Sequence, residues 1–382
     1  MSMETVRIIV NGATGGIVNR QHLEHALMPI IREGGLRIGN KTVMPELLLV
    51  ARDEAKLAKV AKRYGIARWT TDLASALSDE SYPIFFDAGF TGQRPVVVRD
   101  ALNAGKHVYA EKPLVPNLEV GRDLLALAKA KDRLHSVVED KLFLPGIAKL
   151  RHLSKQGYFG TVTNFRLDFG YWIFDGSDHP MQRPSWNYKE AEGGSLVLDM
   201  YPHWRYVVEG VLGPIKRLVS RSWTSVPRRE DESGQVFDVD VDDSNVTIVE
   251  LESGAIGTIS SSWARRVRAD DLLTFHIDGA HGSASAGLHR CQIQPAAATP
   301  KARFDASVDL GIDYREQWME VPDVAPFENG YRKGWEAFLR HVIGNEPPAA
   351  DFTAGMRDVA LAQAVARSSV EERWVEMDEV TA

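Results

Sequence analysis

The sequence predicts an α/β domain with a doubly wound parallel sheet over residues 1–140, followed by an α+β domain with a large, mainly antiparallel sheet over residues 141–382. Short apolar runs alternate with amphipathic segments in the first third of the chain, and a glycine-rich turn follows the first run directly. From Gly160 onward, longer strands of alternating polarity dominate. The chain has 382 residues, and at roughly 100–200 residues per domain this length accommodates two domains.

The strands of the first domain are predicted from buried runs rich in β-branched or aromatic residues. They are Val6–Val10, Glu46–Val50, Ile84–Asp87 and His107–Tyr109. Helical patterns lie between them at Glu54–Tyr64, Asp72–Leu77 and Pro95–Ala104. This order predicts βαβ units, with helices on both faces of a parallel sheet. The segment Asn19–Thr42 is longer than one crossover helix requires, so it is interpreted as an insertion with a helix around Glu24–Glu33 and a loop.

The second domain begins with a helix, Pro145–Gln156, which Gly157 ends by supplying a left-handed residue. Strands are predicted at Val162–Phe169, Lys216–Thr224, Asn245–Leu251, Ala255–Ser262 and Leu272–Asp278. The turn Ser253-Gly254 between two of them indicates a hairpin. Helical patterns return at Gly330–Val342 and Ala354–Glu372.

Composition excludes several classes of function. The 45 Lys and Arg residues against 52 Asp and Glu residues give a net charge of −7, which argues against a nucleic-acid binder. No apolar stretch approaches the ~20 residues that cross a bilayer, so no membrane association is expected. The single cysteine, Cys291, excludes an intrachain disulfide and a cysteine-rich metal site. Since the N-terminal residues do not resemble a signal peptide, a cytoplasmic enzyme is predicted.

The first strand leads into Asn11-Gly12-Ala13-Thr14-Gly15-Gly16-Ile17, a candidate pyrophosphate cradle. Gly12 permits a tight exit from the strand, and Gly15 and Gly16 let backbone amides approach the anion at a helix N-terminus. Thr14 and Ile17 replace the second and third glycines of the common G-x-G-x-x-G pattern. An ordinary strand–helix turn is the alternative, but the position after the first strand of a βαβ series favours a dinucleotide.

The residues after the second strand address the choice between NAD and NADP. An acid at this position binds the adenosine ribose of NAD, whereas an arginine holds the 2′-phosphate of NADP. Here Arg52 and Asp53 stand side by side. These two residues leave the choice open; NAD is the expected cofactor, and NADP is not excluded.

Two further patterns supply groups that move protons. Glu111-Lys112-Pro113 follows a sheet strand, where the carboxyl ends of strands face the ligand crevice, and a lysine there can exchange a proton with a substrate hydroxyl. A surface Glu–Lys pair is the alternative. Asp199 and His203 are four residues apart, so on a helix they project from the same face and can hold a hydroxyl group. Alone, such a histidine is more often a core residue.

Taken together, these segments resemble the Gfo/Idh/MocA family, the group of glucose–fructose oxidoreductase and inositol dehydrogenase. The resemblance covers essentially the whole chain, and its motifs occur in family order and at family spacing. They are the N-terminal glycine-rich turn, Glu111-Lys112-Pro113, the helix end at Gly157 and Gly160, and Gly193-Gly194 followed by Asp199 and His203. The substitutions in the glycine turn and the insertion at Asn19–Thr42 depart from the family pattern.

The resemblance implies roles for individual residues. Lys112 would be a catalytic residue beside the nicotinamide, Asp199 would position the substrate, and His203 would be the acid/base for the oxidised hydroxyl. Glu111 would line the cofactor, and Pro113 would follow a cis peptide bond. The long sheet-forming half implies a homo-oligomer, a dimer or tetramer.

Aromatic and arginine side chains around these motifs predict a carbohydrate site. Trp172 and Trp186 offer faces that stack on sugar rings, and Arg183 and Arg205 can bind carboxylate or sulfonate groups. Core packing is an equal alternative for each tryptophan. The pattern is similar to family members that oxidise glycosides at C3 and to members that use recycled NAD to hydrolyse glycosides, including sulfoquinovosidases.

Two enzymatic hypotheses follow. The first is an NAD(P)-dependent oxidoreductase that takes a hydride from a sugar ring carbon, with C3 favoured, while His203 or Lys112 removes the hydroxyl proton. The second is an NAD-dependent glycoside hydrolase that works by transient C3 oxidation, elimination and hydration, conceivably on an anionic sugar. A non-enzymatic sensor on the same fold is disfavoured because Lys112, Asp199 and His203 occur together. No metal is expected, since His22 and His25 lack a third ligand and Phe237–Asp243 does not fit a calcium loop.

Overall fold

A computed structural model of the protein describes residues 2–266, 271–323 and 326–381. It divides the chain into two compact units, residues 1–143 with 328–360, and residues 144–327 with 361–382. Within the part of the chain that is described, no helix combines the length and apolar character needed to cross a membrane.

The strands are β1 Ser2–Asn11, β2 Leu36–Ile38, β3 Lys41–Val50, β4 Arg68–Thr70, β5 Ile84–Asp87, β6 His107–Ala110, β7 His135–Val137, β8 Val162–Gly170, β9 Ile215–Trp223, β10 Arg228–Glu230, β11 Val236–Asp238, β12 Ser244–Leu251, β13 Ile256–Ser262, β14 Leu273–Gly279, β15 Gly282–Ala286, β16 Cys291–Pro295, β17 Met319–Glu320 and β18 Val375–Glu376. The α-helices are α1 Met28–Arg32, α2 Glu54–Tyr64, α3 Leu73–Ser78, α4 Arg94–Asn103, α5 Leu118–Ala130, α6 Pro145–Lys155, α7 Leu196–Leu212, α8 Gly330–Gly344, α9 Phe352–Glu371 and α10 Asp378–Thr381.

The first unit contains the predicted parallel sheet. Its strands run in the order β2-β3-β1-β5-β6-β7, and β4 also pairs with β3. All these pairings are parallel except that of β2 with β3. The order β4-β3-β1-β5-β6-β7 is that of a Rossmann domain, so the carboxyl ends of β1, β3, β5 and β6 lie along one edge.

The first crossover differs in detail from its prediction. A helical segment with π-type hydrogen bonding spans Val18–Leu27 and continues into α1, so the helix begins well before Glu24. The rest of the predicted insertion forms β2 and the first two residues of β3, and these two strands pair as a hairpin. Alternating side chains in the first half of β3 are exposed or partly exposed, which is why a pattern of buried residues detected only Glu46–Val50.

The domain boundary near residue 140 agrees with the division after Phe143, but residues 328–360 belong to the first unit. The reason is α8, whose Trp335, Phe338 and Leu339 are buried in the core of the parallel sheet. The amphipathic pattern of this helix predicts a buried face but not the domain that covers it. The continuous second domain predicted for 141–382 therefore loses this segment.

The second unit is built on a nine-stranded sheet in the order β17-β16-β15-β14-β8-β13-β12-β9-β18. Its pairings are antiparallel except for β13 with β8. The predicted hairpin at Ser253-Gly254 joins β12 and β13. The mainly antiparallel sheet is thus confirmed, and α7, which carries Asp199 and His203, is a helix of this unit.

Candidate active site

The glycine-rich turn lies against the carboxyl ends of two neighbouring strands. The Ala13 N–H donates to the Val50 carbonyl at 3.1 Å, and the Ala88 N–H donates to the Asn11 carbonyl at 3.2 Å. Gly12 has a φ of +79°, and a Cβ there would lie 2.5 Å from the Ala88 carbonyl oxygen. Only glycine fits this close approach, as the sequence predicted.

The rest of the turn is closed by its own hydrogen bonds. The Gly15 N–H donates to the Gly12 carbonyl at 2.8 Å, and the Asn19 side-chain amide donates to the Ala13 and Gly15 carbonyls. The helix begins at Gly16, so the amides of Gly16 and Ile17 stand in its first turn, where backbone N–H groups have no intrahelical acceptor. This cradle fits the pyrophosphate of a dinucleotide cofactor.

Arg52 and Asp53 stand at the end of β3, beside the glycine turn, but their side chains are used differently. Asp53 caps α2: its carboxylate accepts the Lys56 N–H at 2.9 Å and pairs with the Lys56 ammonium at 3.3 Å. The hydrogen bond from the Lys56 backbone lowers the pKa of Asp53. Arg52 is exposed. The acid at this position is therefore engaged in a helix cap, and a contact of the exposed Arg52 guanidinium with a 2′-phosphate stays a prediction.

Replacing Arg52 with glutamine is expected to weaken NADPH binding about tenfold or more and to leave NADH binding almost unchanged, because a guanidinium–phosphate contact is a strong charge-assisted bond. Fluorescence titration of both reduced cofactors measures the ratio of their dissociation constants. Lys59→Gln removes the same charge from an exposed position of α2 and is the matched control. Equal effects of Arg52→Gln on both cofactors would contradict this role.

The loop after β6 carries the candidate catalytic lysine. Glu111 is buried, and one carboxylate oxygen accepts the Lys112 backbone N–H at 3.0 Å while the other lies 2.9 Å from His22 Nε2. Burial raises the pKa of Glu111, but the His22 hydrogen bond and the charges of Lys112 and Arg94 outweigh it and lower the pKa. Lys112 is half-buried, and its peptide bond to Pro113 is cis, as expected.

A second anchor of this loop was not foreseen from the sequence. Buried Arg94, in the first turn of α4, donates to Asp87 Oδ2 at 2.9 Å and to the Pro113 carbonyl at 2.6 Å. The Asn11 side-chain amide donates to the other Asp87 oxygen at 2.8 Å. The sequence showed Asp87 at the end of a strand and Arg94 in an apolar helix. Neither pattern indicates that Arg94 connects Asp87 to the loop that carries Lys112.

In the second unit, Asp199 and His203 lie on consecutive turns of α7, as their spacing predicted. His203 Nδ1 is 2.5 Å from the Tyr206 hydroxyl, and both residues are buried. This contact fixes the orientation of the imidazole. Asp199 stands in the first turn of the helix, where the helix dipole favours a carboxylate.

The start of α7 is fixed by residues that the sequence did not single out. The Ser195 hydroxyl accepts the Leu198 N–H and donates to Asp242, which also accepts the Val197 N–H at 2.9 Å. Burial raises the pKa of Asp242. A Cβ on Gly194 would lie 2.4 Å from the Asn187 carbonyl oxygen, so glycine lets two chain segments meet here. The acidic run Phe237–Asp243, which does not fit a calcium loop, thus has a structural part, because Asp242 holds the start of the helix that carries Asp199 and His203.

Arg183 is paired with Asp199. Its guanidinium donates to Asp199 Oδ2 at 2.7 Å and lies over the Trp263 ring, 4.4 Å from the centroid. Arg183 was predicted to bind the substrate. In the structure it orients the carboxylate of Asp199, the residue predicted to position the substrate. Trp263 was missed because a tryptophan within a strand pattern indicates only core packing.

The other three predicted substrate residues also belong to the second unit. Trp172 forms a bridge with Ala264 and lies under the Arg266 guanidinium, Trp186 is exposed, and Arg205 is buried beside Glu209 at 3.6 Å. Their roles as substrate-binding residues stay predictions.

The phosphate cradle and the Rossmann strand order are those of a nucleotide-dependent oxidoreductase. Residues 8–139 match a model described as an oxidoreductase family with an NAD-binding Rossmann fold, and residues 147–285 match the GFO/IDH/MocA C-terminal domain. The chain belongs to the GFO/IDH/MocA oxidoreductase family, and its cofactor domain is of the NAD-binding type.

Relatives match along nearly the whole chain. D-xylose dehydrogenase of Paenarthrobacter nicotinovorans is 40% identical over 381 residues, which cover 98% of each chain. Levoglucosan dehydrogenase of Pseudarthrobacter phenanthrenivorans is 25% identical, with 96% of this chain and 97% of the relative covered. A solved structure of levoglucosan dehydrogenase in complex with NADH and levoglucosan has a TM-score of 0.79 at 20% identity and covers 98% of this chain and 100% of its own. The last likeness shows the shared fold.

Proposed function

We propose that the protein is an NAD-dependent dehydrogenase of a free monosaccharide, with D-xylose as the first candidate substrate. The observation that carries the proposal is the 40% identity to a D-xylose dehydrogenase over 98% of both chains. The glycine cradle, Lys112 and the Asp199–His203 pair supply the groups that such a reaction requires. The named relatives are dehydrogenases, which does not favour the glycosidase hypothesis.

Each of these residues has a distinct part in the proposed reaction. NAD, when bound, supplies the acceptor for the hydride that leaves a ring carbon of the sugar. Lys112 and His203 hold and remove the hydroxyl proton as the carbonyl forms, and Asp199, oriented by Arg183, binds a neighbouring hydroxyl. Tyr206 keeps the His203 ring in position. Rate then depends on orientation of the sugar as much as on proton transfer.

The test is a panel of free pentoses, hexoses and inositols with NAD, followed by absorbance of NADH and by analysis of the product. A stoichiometric rise with D-xylose supports the proposal, and the absence of turnover with every free sugar would refute it. The product locates the oxidised carbon. Oxidation at C1 gives a lactone that hydrolyses to an acid, whereas oxidation at C3, which the sequence favours, gives a neutral keto sugar.

Aryl glycosides in the same assay test the hydrolase hypothesis. Release of the aglycone with trace NAD, without net NADH, would establish redox-assisted hydrolysis and overturn the dehydrogenase proposal. Uptake of solvent deuterium at C2 would accompany it, since elimination breaks that C–H bond.

We also propose that the protein is a homo-oligomer that pairs through the open face of the nine-stranded sheet, the face that carries Val246, Ile248 and Ile256. These side chains are 39–48% exposed, although they lie on strands near the middle of the sheet. Arg217 and Glu250 form an ion pair beside them at 2.6 Å, so charges of both signs border the apolar surface. Such a surface suits a second copy related by two-fold symmetry. The cytoplasmic location stays a prediction.

Replacing Ile248 with arginine is expected to convert the oligomer to a monomer, because the proposed interface would bury an unpaired charge on the open face of the sheet. Light scattering coupled to size exclusion measures the mass, and circular dichroism verifies the fold. Val370→Arg places the same charge on an 84% exposed residue and is the control. A monomeric native protein, or an unchanged mass for Ile248→Arg, would contradict the proposed interface.

A further inference from the structure

A buried histidine joins the helix that follows the phosphate cradle to the loop that carries Lys112. His22 is 0% exposed, and its Nε2 lies 2.9 Å from Glu111 Oε1. On its other side, the Trp335 indole N–H of α8 donates to His22 Nδ1 at 3.0 Å. The rings of Phe86 and Tyr331 pack against the imidazole, with centroids at 4.4 and 4.9 Å. The three elements all belong to the first unit.

These contacts determine the tautomer of His22. An indole N–H can only donate, so Nδ1 must accept and cannot carry a hydrogen. The imidazole is then neutral with its hydrogen on Nε2, and that N–H donates to the Glu111 carboxylate. Trp335 therefore selects the tautomer that can donate to Glu111. In functional histidines generally, the hydrogen bond made by one ring nitrogen determines the protonation of the other.

The other oxygen of Glu111 accepts the backbone N–H of Lys112 at 3.0 Å. The carboxylate thus transmits the position of the His22 ring to the peptide from which the lysine side chain extends. A carboxylate held on both oxygens has little rotational freedom. Without the His22 N–H, the buried Glu111 carboxylate would lack one hydrogen-bond donor. The loop that carries Lys112 would then shift to bring the carboxylate another donor.

We propose that His22 is a positioning residue for Lys112: its Nε2–H holds Glu111, Glu111 holds the Lys112 backbone, and Trp335 fixes the His22 tautomer. This inference rests on the proposed function, in which Lys112 acts on the substrate hydroxyl. It gives a role to a histidine that the proposed reaction does not itself require. Because His22 also lies on the segment after the glycine turn, the same contact ties the cofactor cradle to the catalytic loop.

The kinetic test compares three substitutions of His22. Partners that orient metal ligands change activity about 10–100-fold when they are lost, and His22→Ala is expected to lower kcat by a similar factor while NADH affinity changes little. His22→Gln places an amide N–H near Nε2 and is expected to restore much of kcat. His22→Asn can accept from Trp335 but does not reach Glu111, so it is expected to behave like His22→Ala. His25→Gln, on an exposed position of the same segment, is the control.

A wild-type kcat for His22→Ala, or a His22→Gln enzyme no better than His22→Ala, would overturn the proposal. Selective ¹⁵N-histidine spectra of the wild-type protein give a second measurement, which does not depend on whether the His22→Ala variant folds. A neutral ring with its hydrogen on Nε2 is expected, and an imidazolium or an Nδ1–H ring at neutral pH would overturn the inference. If the wild-type protein turns over no sugar, the proposed function fails, and the spectra still decide the state of His22.

Discussion

Replacing Lys112 with methionine is expected to lower kcat about a thousandfold, the range that general acid–base catalysis contributes. Methionine keeps most of the apolar stem and removes only the ammonium group. The contact between the Lys112 backbone N–H and Glu111 is retained, because it does not involve the side chain. The loop geometry and NADH binding should therefore persist, and the loss should fall on kcat. Steady-state kinetics with the best sugar of the panel and a fluorescence titration with NADH measure the two effects.

Lys129→Met is the matched control for this substitution. It makes the same chemical change at an exposed position of α5, the helix that follows the loop, and should leave both kcat and NADH affinity as they are. A Lys112→Met enzyme that retains near-normal turnover would remove Lys112 from the chemistry. A loss of NADH affinity as large as the loss of kcat would assign the lysine to cofactor binding instead.

Local patterns were sufficient to predict four strands of the parallel sheet, β1, β3, β5 and β6, and the helices α2, α3 and α4. Ile84–Asp87 and Glu54–Tyr64 have the predicted bounds, because a buried strand and a capped amphipathic helix each have a signal within their own residues. The parallel order followed from alternation of strands and helices and from the handedness of crossovers. The four-residue spacing of Asp199 and His203 predicted that the two would share one face of a helix, and α7 carries both residues.

Contacts between distant residues could not be predicted in this way. His22 meets Glu111 across 89 positions and Trp335 across 313, and no periodicity in either segment encodes such a pairing. For the same reason α8 was assigned to the second domain. The role of Asp242 at the start of α7 was missed because an acidic run normally indicates a solvated surface, whereas here the Val197 N–H and the Ser195 hydroxyl donate to the carboxylate.

Replacing His203 with asparagine is expected to lower kcat about a hundredfold to ten-thousandfold, because the imidazole is the proposed base for the substrate hydroxyl. To accept that proton on Nε2, His203 must carry a hydrogen on Nδ1 and donate it to the Tyr206 oxygen, 2.5 Å away. Tyr206→Phe should therefore produce a smaller fall in kcat, since the ring remains but its tautomer is no longer fixed. His152→Asn, at an exposed position of α6, is the control. Near-normal turnover by His203→Asn would contradict the assignment.

The double variant Lys112→Met/His203→Asn decides how the two residues share the proton. Groups that act as one unit give strongly non-additive losses, and removing the second costs little once the first is gone. If Lys112 and His203 serve the same proton transfer, the double variant should be about as slow as the slower single variant. If one residue instead orients the sugar while the other moves the proton, the two losses should multiply. Multiplying losses, together with a KM raised only by Lys112→Met, would identify His203 as the base and Lys112 as the residue that holds the hydroxyl in place.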